Sequence, residues 1–189
     1  MNRIQQLDPA QATGKTKQLF DAAKARMGAV PNLVRALGNS PAALESYLNF
    51  NGTLAHGAFS PRVREQISLA VAEANLCDYC LSAHTFVGGK LGLSNEELLD
   101  ARKAVSRTPK TDAILKLARN IVLERGEVSD AEIADARAAG LDDGEIVETV
   151  ANVVVNIFTN YVNHVARTQV DFPEVKAGQG LVDSTAQTR

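Results

Sequence analysis

Ser60-Pro61-Arg62-Val63-Arg64-Glu65-Gln66-Ile67 opens a stretch that runs on through Glu73-Ala74-Asn75-Leu76-Cys77-Asp78-Tyr79-Cys80-Leu81-Ser82-Ala83-His84 and closes at Gly92-Leu93-Ser94. Ser60-Pro61 is a helix start, with serine as N-cap and proline at the first position, where its missing N–H costs nothing. Val63, Ile67, Ala70, Val71 and Ala74 follow at helical spacing, which predicts a helix over 61–76. A second helix is expected from about Asp78 to Leu91, ended by Gly92. The short Asn75-Leu76 joint folds it back on the first.

The same punctuation recurs on both sides. A first helix is expected over 10–27, with Leu19, Phe20, Ala23 and Met27 on one face and Gly28 ending it. Pro31 starts a short helix to Leu37, and Ser40-Pro41 opens another that runs to about His56-Gly57. Ser94-x-x-Glu97 and Ser129-x-x-Glu132 are capping boxes. Thr108-Pro109 opens 109–125, closed by Gly126, and Asp142 caps a long last helix to about Arg167. Alternating strand patterns are absent. The reading is an all-α single domain over 1–175, a helical bundle of antiparallel helix pairs. Residues 176–189 read as a flexible polar tail.

The chain has 189 residues, of which 45% are hydrophobic and 22% charged, with net charge −2. One domain of about 100–200 residues fits that length, and disorder and collagen are excluded. Two cysteines exclude a disulfide-stapled scaffold. No basic stripe supports nucleic-acid binding. Thr149 to Ala166 lacks charged residues, but four asparagines and His164 argue against a membrane span. The start, Met1 to Pro9, is polar. The chain reads as cytoplasmic.

Reactive side chains are scarce: two cysteines, three histidines and no tryptophan. Both cysteines and one histidine fall between Cys77 and His84. The Cys-x-x-Cys spacing lets the sulfurs meet within one turn. Cys80 and His84 are four apart, on one helix face, where an imidazole can take the thiol proton or stabilise the thiolate. A helix starting near Cys77 adds the pull of its dipole. Glu65, with eleven residues between it and Cys77, is a candidate to orient His84, although Glu73 is also near. Three readings fit these residues. The leading one is a redox pair. The others are a metal site using Cys77, Cys80, His84 and a fourth ligand such as Glu65 or His164, and inert core cysteines.

Along the last helix Asn152, Asn156, Asn160 and His164 recur every fourth residue, with Asn163 adjoining. The stripe is either a polar wall of the thiol pocket or a set of buried amides bonded to neighbouring helices or a partner subunit. Gly14-Lys15-Thr16 is not a phosphate loop, since Pro9 holds the required glycine position. His56 is an ordinary helix-end residue.

Glu65, Cys77, Cys80 and His84 match, position for position, the pattern Glu, eleven residues, Cys-x-x-Cys, three residues, His. With Gly92-Leu93-Ser94, Val30-Pro31-Asn32, Ser40-Pro41 and Asp171-Phe172-Pro173, the chain resembles the alkyl hydroperoxidase D-like (AhpD-like) core. That core belongs to the carboxymuconolactone decarboxylase superfamily, and the wider chain resembles its peroxidase-related branch over roughly residues 28–175. The resemblance implies an all-helical homo-oligomer that reduces a peroxide substrate without a cofactor or metal. In it Cys80 attacks the peroxide, Cys77 resolves the sulfenic acid, and a dithiol reductant restores the pair. Glu65 and His84 move the protons. A non-catalytic redox sensor or metal-binding oligomer is the alternative use of the same cluster. One departure is Tyr79, which stands where the well-studied branch has a relay histidine; a phenol is a poor shuttle at neutral pH. Tyr79, Asn156, Asn160 and His164 are the candidate surrounding residues. Decarboxylase members lack the cysteine pair.

Overall fold

A computed structural model describes residues 2–179. Among these are nine α-helices and no strand. They are α1 (Gly14–Met27), α2 (Asn32–Leu37), α3 (Pro41–Leu54), α4 (Pro61–Ala74), α5 (Asp78–Lys90), α6 (Asn95–Arg102), α7 (Pro109–Leu123), α8 (Asp130–Ala138) and α9 (Asp143–Ala166).

The starts follow from side-chain capping. Ser40 Oγ accepts from the Ala43 N–H and Ser60 Oγ from the Val63 N–H, both at 3.3 Å. Ser94/Glu97, Ser129/Glu132 and Asp142/Glu145 form complete capping boxes. Each satisfies two N–H groups that the first turn leaves without partners. Several ends follow from a left-handed residue just past the helix. At Gly92 (φ 82°), for example, Leu93 N–H returns to the Gly88 carbonyl at 3.0 Å.

The centre of the bundle is α4, packed by α5, α6, α7 and α9. Gln66 through Glu73 are all buried, so this helix is enclosed on every side. Short joints make the neighbours antiparallel. Glu65 near the start of α4 therefore meets His84 well along α5. Gly88 lets the far end of α5 close on α6, since a Cβ there would lie 2.8 Å from Leu98 Cδ2.

Three details differ from the sequence reading. Helix α1 begins at Gly14, not residue 10, because Asp8 accepts from the Ala10 N–H at 2.9 Å and from the Gln11 N–H at 3.0 Å, a turn that bends the chain first. Met27, expected on the buried face of α1, is 40% exposed in its last turn. Residues 176–179 of the expected flexible tail are docked, continuing from Val175. Val175 N–H donates to Ser82 Oγ (2.9 Å), Ala177 N–H to Asp78 Oδ1 (2.9 Å) and Gly178 N–H to Glu73 Oε1 (2.6 Å). The rest of the expected tail, 180–189, lies outside the described residues.

This C-terminal strap rests on a buried ion pair. Arg102 Nε donates to Glu73 Oε2 at 2.8 Å, with the two side chains 6% and 10% exposed. Arg102 Nη2 donates to the carbonyls of Lys176 and Gln179. Removing one member leaves an uncompensated buried charge. Arg102→Ala should therefore lower unfolding free energy by about 3–5 kcal/mol. Replacing Glu73 and Arg102 together with Leu and Met should cost less than the single change. Urea unfolding followed by circular dichroism measures both; equal losses would remove the ion pair from this account.

Candidate active site

The sulfurs are placed by the turn between α4 and α5. Leu76 is left-handed (φ 54°). Its N–H returns to the Glu73 carbonyl at 3.0 Å, and the Cys77 N–H to the Ala72 carbonyl at 2.9 Å, a Schellman motif with leucine in the usual glycine position. The residue that completes this turn is the N-cap of α5: Cys77 has extended dihedrals, φ −98° and ψ 93°. Cys80 then falls in the first turn of α5, where unpaired N–H groups and the dipole favour negative charge. Both cysteines are free thiols, each 2% exposed.

The two sulfurs are not equivalent. Cys77 S–H has two acceptors in reach, the Asn160 carbonyl at 4.0 Å and the Cys80 sulfur. Its bond to Cys80, and then burial, hold the Cys77 thiol protonated well above the ordinary range. Cys80 is the reverse. The hydrogen bond from Cys77 lowers its pKa; burial opposes this, and the His84 charge and the Asn163 and Asn160 amides add to the lowering. The result is a thiol of pKa about 7. Asn163 Nδ2 donates to Cys80 Sγ at 3.2 Å. Asn160 Nδ2 has no conventional partner, so its N–H dipole is left to act on the same sulfur.

His84 Nδ1 meets Glu65 Oε2 at 2.7 Å, the side chains being 24% and 18% exposed. Burial alone would lower the His84 pKa. The Glu65 carboxylate outweighs it, and the imidazole is held above its ordinary value. No hydrogen bond joins His84 to Cys80; the histidine acts on the sulfur through its charge. Glu73, the rival of Glu65 on spacing, is taken up by Arg102 and the strap.

Of the surrounding candidates, only Asn160 reaches the sulfurs. Its Oδ1 also accepts from Asn75 Nδ2 at 2.9 Å, tying α9 to the turn. Asn156 Nδ2 goes to the Asn152 carbonyl one turn back, and Asn152 likewise to Glu148. His164 is exposed, its Nε2 2.9 Å from the Asn75 carbonyl, outside the pocket. Tyr79 is a structural tie. Its hydroxyl accepts from the Leu33 N–H at 3.1 Å and its ring packs edge-on against Phe172. Burial first, then Asp171, raises its pKa, so the phenol stays neutral and bound. Asp171 also accepts from the Asn32 N–H, which joins the two flanking motifs of the sequence around this tyrosine.

Sequence reasoning missed Tyr47 on α3. Burial, and then the negative charges of Cys80 and Glu65, push its phenol up to about 12. It is a neutral wall near both groups. It stands 18 residues before Glu65, outside any motif. Among the described residues no group of three or more His, Cys, Asp or Glu is arranged to hold a metal ion. No described helix is long and apolar enough to cross a membrane.

Residues 41–124, which carry Glu65, Cys77, Cys80 and His84, match the carboxymuconolactone decarboxylase family. That segment is what the chain shares with the family. Solved structures share the fold well beyond it. A peroxidase-related protein with an AhpD core from Ralstonia eutropha JMP134 superposes with TM-score 0.80 at 19% identity, covering 90% of this chain and 92% of that one. Another peroxidase-related protein, from Silicibacter sp. TM1040, gives 0.75 at 20%, covering 89% and 94%. A debrominase, solved as a cysteine-to-alanine variant with 2,3,4-tribromopyrrole, gives 0.78 at 14%, covering 90% and 92%. No curated protein sequence matches the chain.

Alkylation by iodoacetamide, read at each cysteine by peptide mass spectrometry, should titrate at Cys80 with a midpoint near pH 7. Cys77 should stay unreactive through the neutral range. Asn163→Leu removes a donor to the thiolate and so should move the Cys80 midpoint upward, toward an ordinary thiol. An unmoved midpoint would show that the amide does not stabilise the sulfur.

Proposed function

We propose that the protein is a thiol-dependent peroxidase in which Cys80 is the attacking sulfur and Cys77 the resolving one. The observation that carries this reading is the asymmetry of the pair. One sulfur receives the Asn163 N–H and the Cys77 S–H and lies in the field of the Glu65–His84 pair, while the other keeps its proton.

In the first step the Cys80 thiolate attacks one peroxide oxygen. An S–O bond forms, the O–O bond breaks, and the leaving alkoxide takes a proton from His84, whose cationic form Glu65 favours. Cys80 is oxidised to a sulfenic acid and the hydroperoxide is reduced to an alcohol. In the second step the Cys77 sulfur attacks the sulfenic sulfur. The S–S bond forms and hydroxide leaves as water with the Cys77 proton. An external dithiol then attacks the disulfide, is itself oxidised, and returns both thiols. The sum is hydroperoxide plus dithiol going to alcohol, water and a new disulfide. Burial of both sulfurs favours a small hydroperoxide. Proton movement here runs through Glu65 and His84 without Tyr79, whose hydroxyl is held by Leu33 and Asp171.

Ethyl hydroperoxide consumption with dithiothreitol as reductant tests the reading. Cys80→Ser should fall by at least about 100-fold, since the nucleophile is lost. Cys77→Ser should stop after one turnover with a sulfenic acid that a dimedone probe traps on Cys80. Glu65→Gln should lose about 10²-fold, typical of a proton-transfer partner. A Cys80→Ser variant as active as wild type removes the proposal.

A further inference from the structure

The buried amides of α9 follow one pattern until the helix reaches the thiols. Asn152 Nδ2 donates to the Glu148 carbonyl at 2.9 Å and Asn156 Nδ2 to the Asn152 carbonyl at 2.8 Å, each one turn back. A polar side chain on a helix is satisfied locally in this way. Asn160 and Asn163 break the pattern. The carbonyl one turn behind Asn160 belongs to Asn156 and already accepts from Thr159 Oγ1 at 2.9 Å. Asn160 turns instead to α4, its Oδ1 accepting from Asn75 Nδ2 at 2.9 Å, and its buried Nδ2 finds no partner among the described residues. Asn163 donates from Nδ2 to Cys80 Sγ at 3.2 Å, and its buried Oδ1 likewise finds none. One donor and one acceptor are thus left over, on residues 0% and 4% exposed, both beside the Cys80 sulfur.

Buried polar atoms without a partner are disfavoured, so a folded chain that keeps two of them at a reactive sulfur calls for an occupant. An unmet donor beside an unmet acceptor is the complement of a group that carries both. The terminal oxygen of a hydroperoxide does: it has an O–H to donate and lone pairs to accept with. We infer that Asn163 and Asn160 bind that terminal O–H, with Asn163 Oδ1 accepting its hydrogen bond and Asn160 Nδ2 donating to its oxygen. Given the peroxidase reading, on which this rests, the pair narrows the substrate to hydroperoxides that keep a free O–H. A dialkyl peroxide or an alkyl halide has no proton for the Asn163 oxygen.

Held between the two amides, the terminal oxygen stands against Cys80 Sγ, and in-line attack needs only that the O–O bond point away from the sulfur. The S–O bond then forms from the thiolate electron pair, the O–O bond breaks, and the alkoxide leaves with a proton from His84. The O–H proton stays on the transferred oxygen, so the sulfenic acid forms between the same two amides. Asn75 is a positioning residue for this step. By donating to Asn160 Oδ1 it fixes which end of that amide faces the sulfur.

Single-turnover loss of the Cys80 thiol in the full chain, quenched and read by peptide mass spectrometry, tests this. At about pH 9.5 Cys80 is ionised in wild type and variants alike, so differences in thiol acidity drop out. Ethyl hydroperoxide should oxidise Asn160→Leu at least about 10-fold more slowly than wild type, the scale of one lost hydrogen bond to a reacting group. Iodoacetamide, which needs the thiolate but no O–H, should alkylate the two within about threefold of each other. A purely structural role for the amide would slow both reagents together. Should Asn160→Leu misfold, Asn75→Asp decides. Its carboxylate only accepts, so the Asn160 amide turns its N–H groups toward position 75 and its oxygen toward the sulfur, and the same split between reagents should appear. Variants oxidised as fast as wild type, or slowed equally with both reagents, overturn the inference and leave the peroxidase reading standing. A wild type that iodoacetamide labels and ethyl hydroperoxide does not oxidise removes both.

Discussion

The molecule turns on one backbone hydrogen bond, from the Cys77 N–H to the Ala72 carbonyl. It closes α4, forces Leu76 into the left-handed region at a cost of roughly 1–2 kcal/mol for a side chain with a Cβ, and leaves Cys77 as the N-cap of the next helix. A wider joint would swing α5 away from α4 and separate Glu65 from His84. A tighter one would draw Cys77 into the helix and leave both sulfurs on similar footing. The strain at Leu76 is sustained because α4 is enclosed on all sides and α5 is fixed at its far end by Gly88.

Chemical asymmetry then follows from place alone. Cys77 lies at the cap, buried and donating; Cys80 lies three residues in, accepting. Neither type of residue differs from the other. What differs is which sulfur faces amide N–H groups from α9 and which faces a carbonyl of the same helix. The bundle thus assigns the roles by presenting a side-chain N–H donor and a backbone carbonyl acceptor, both from α9, to a single pair of thiols.

Much of this was legible in the sequence, and for definite reasons. Ser60-Pro61, Ser94-x-x-Glu97 and Asp142 carry their own capping chemistry, so their helices begin where the residues say. The spacing from Glu65 to Cys77 to His84 survives folding because a short joint between two helices permits only one hairpin. Long-range choices were not legible. Asn160 and Asn163 differ from Asn152 and Asn156 only in which helix lies opposite, and four-residue periodicity cannot report that. Tyr47 enters from α3 with no local signal. The polarity of 176–179 suggested a loose end, whereas those backbone groups dock on Asp78, Glu73 and Arg102, which lie far away in sequence. Asp8 bending the chain before α1 is a turn signal that helix-former content hid.

The strap also sets an order of events. Its bonds to Ser82, Asp78 and Glu73 join residues 93, 99 and 105 positions apart. Contacts across such distances must first meet the entropy of closing a long loop, while the α4–α5 hairpin closes across a few residues. Synthesis from the N-terminus lengthens that interval, since α5 exists well before residue 175 does. The cysteine turn is therefore built early and latched late, with the Asp78 carboxylate, set between the two sulfurs in sequence, as the catch.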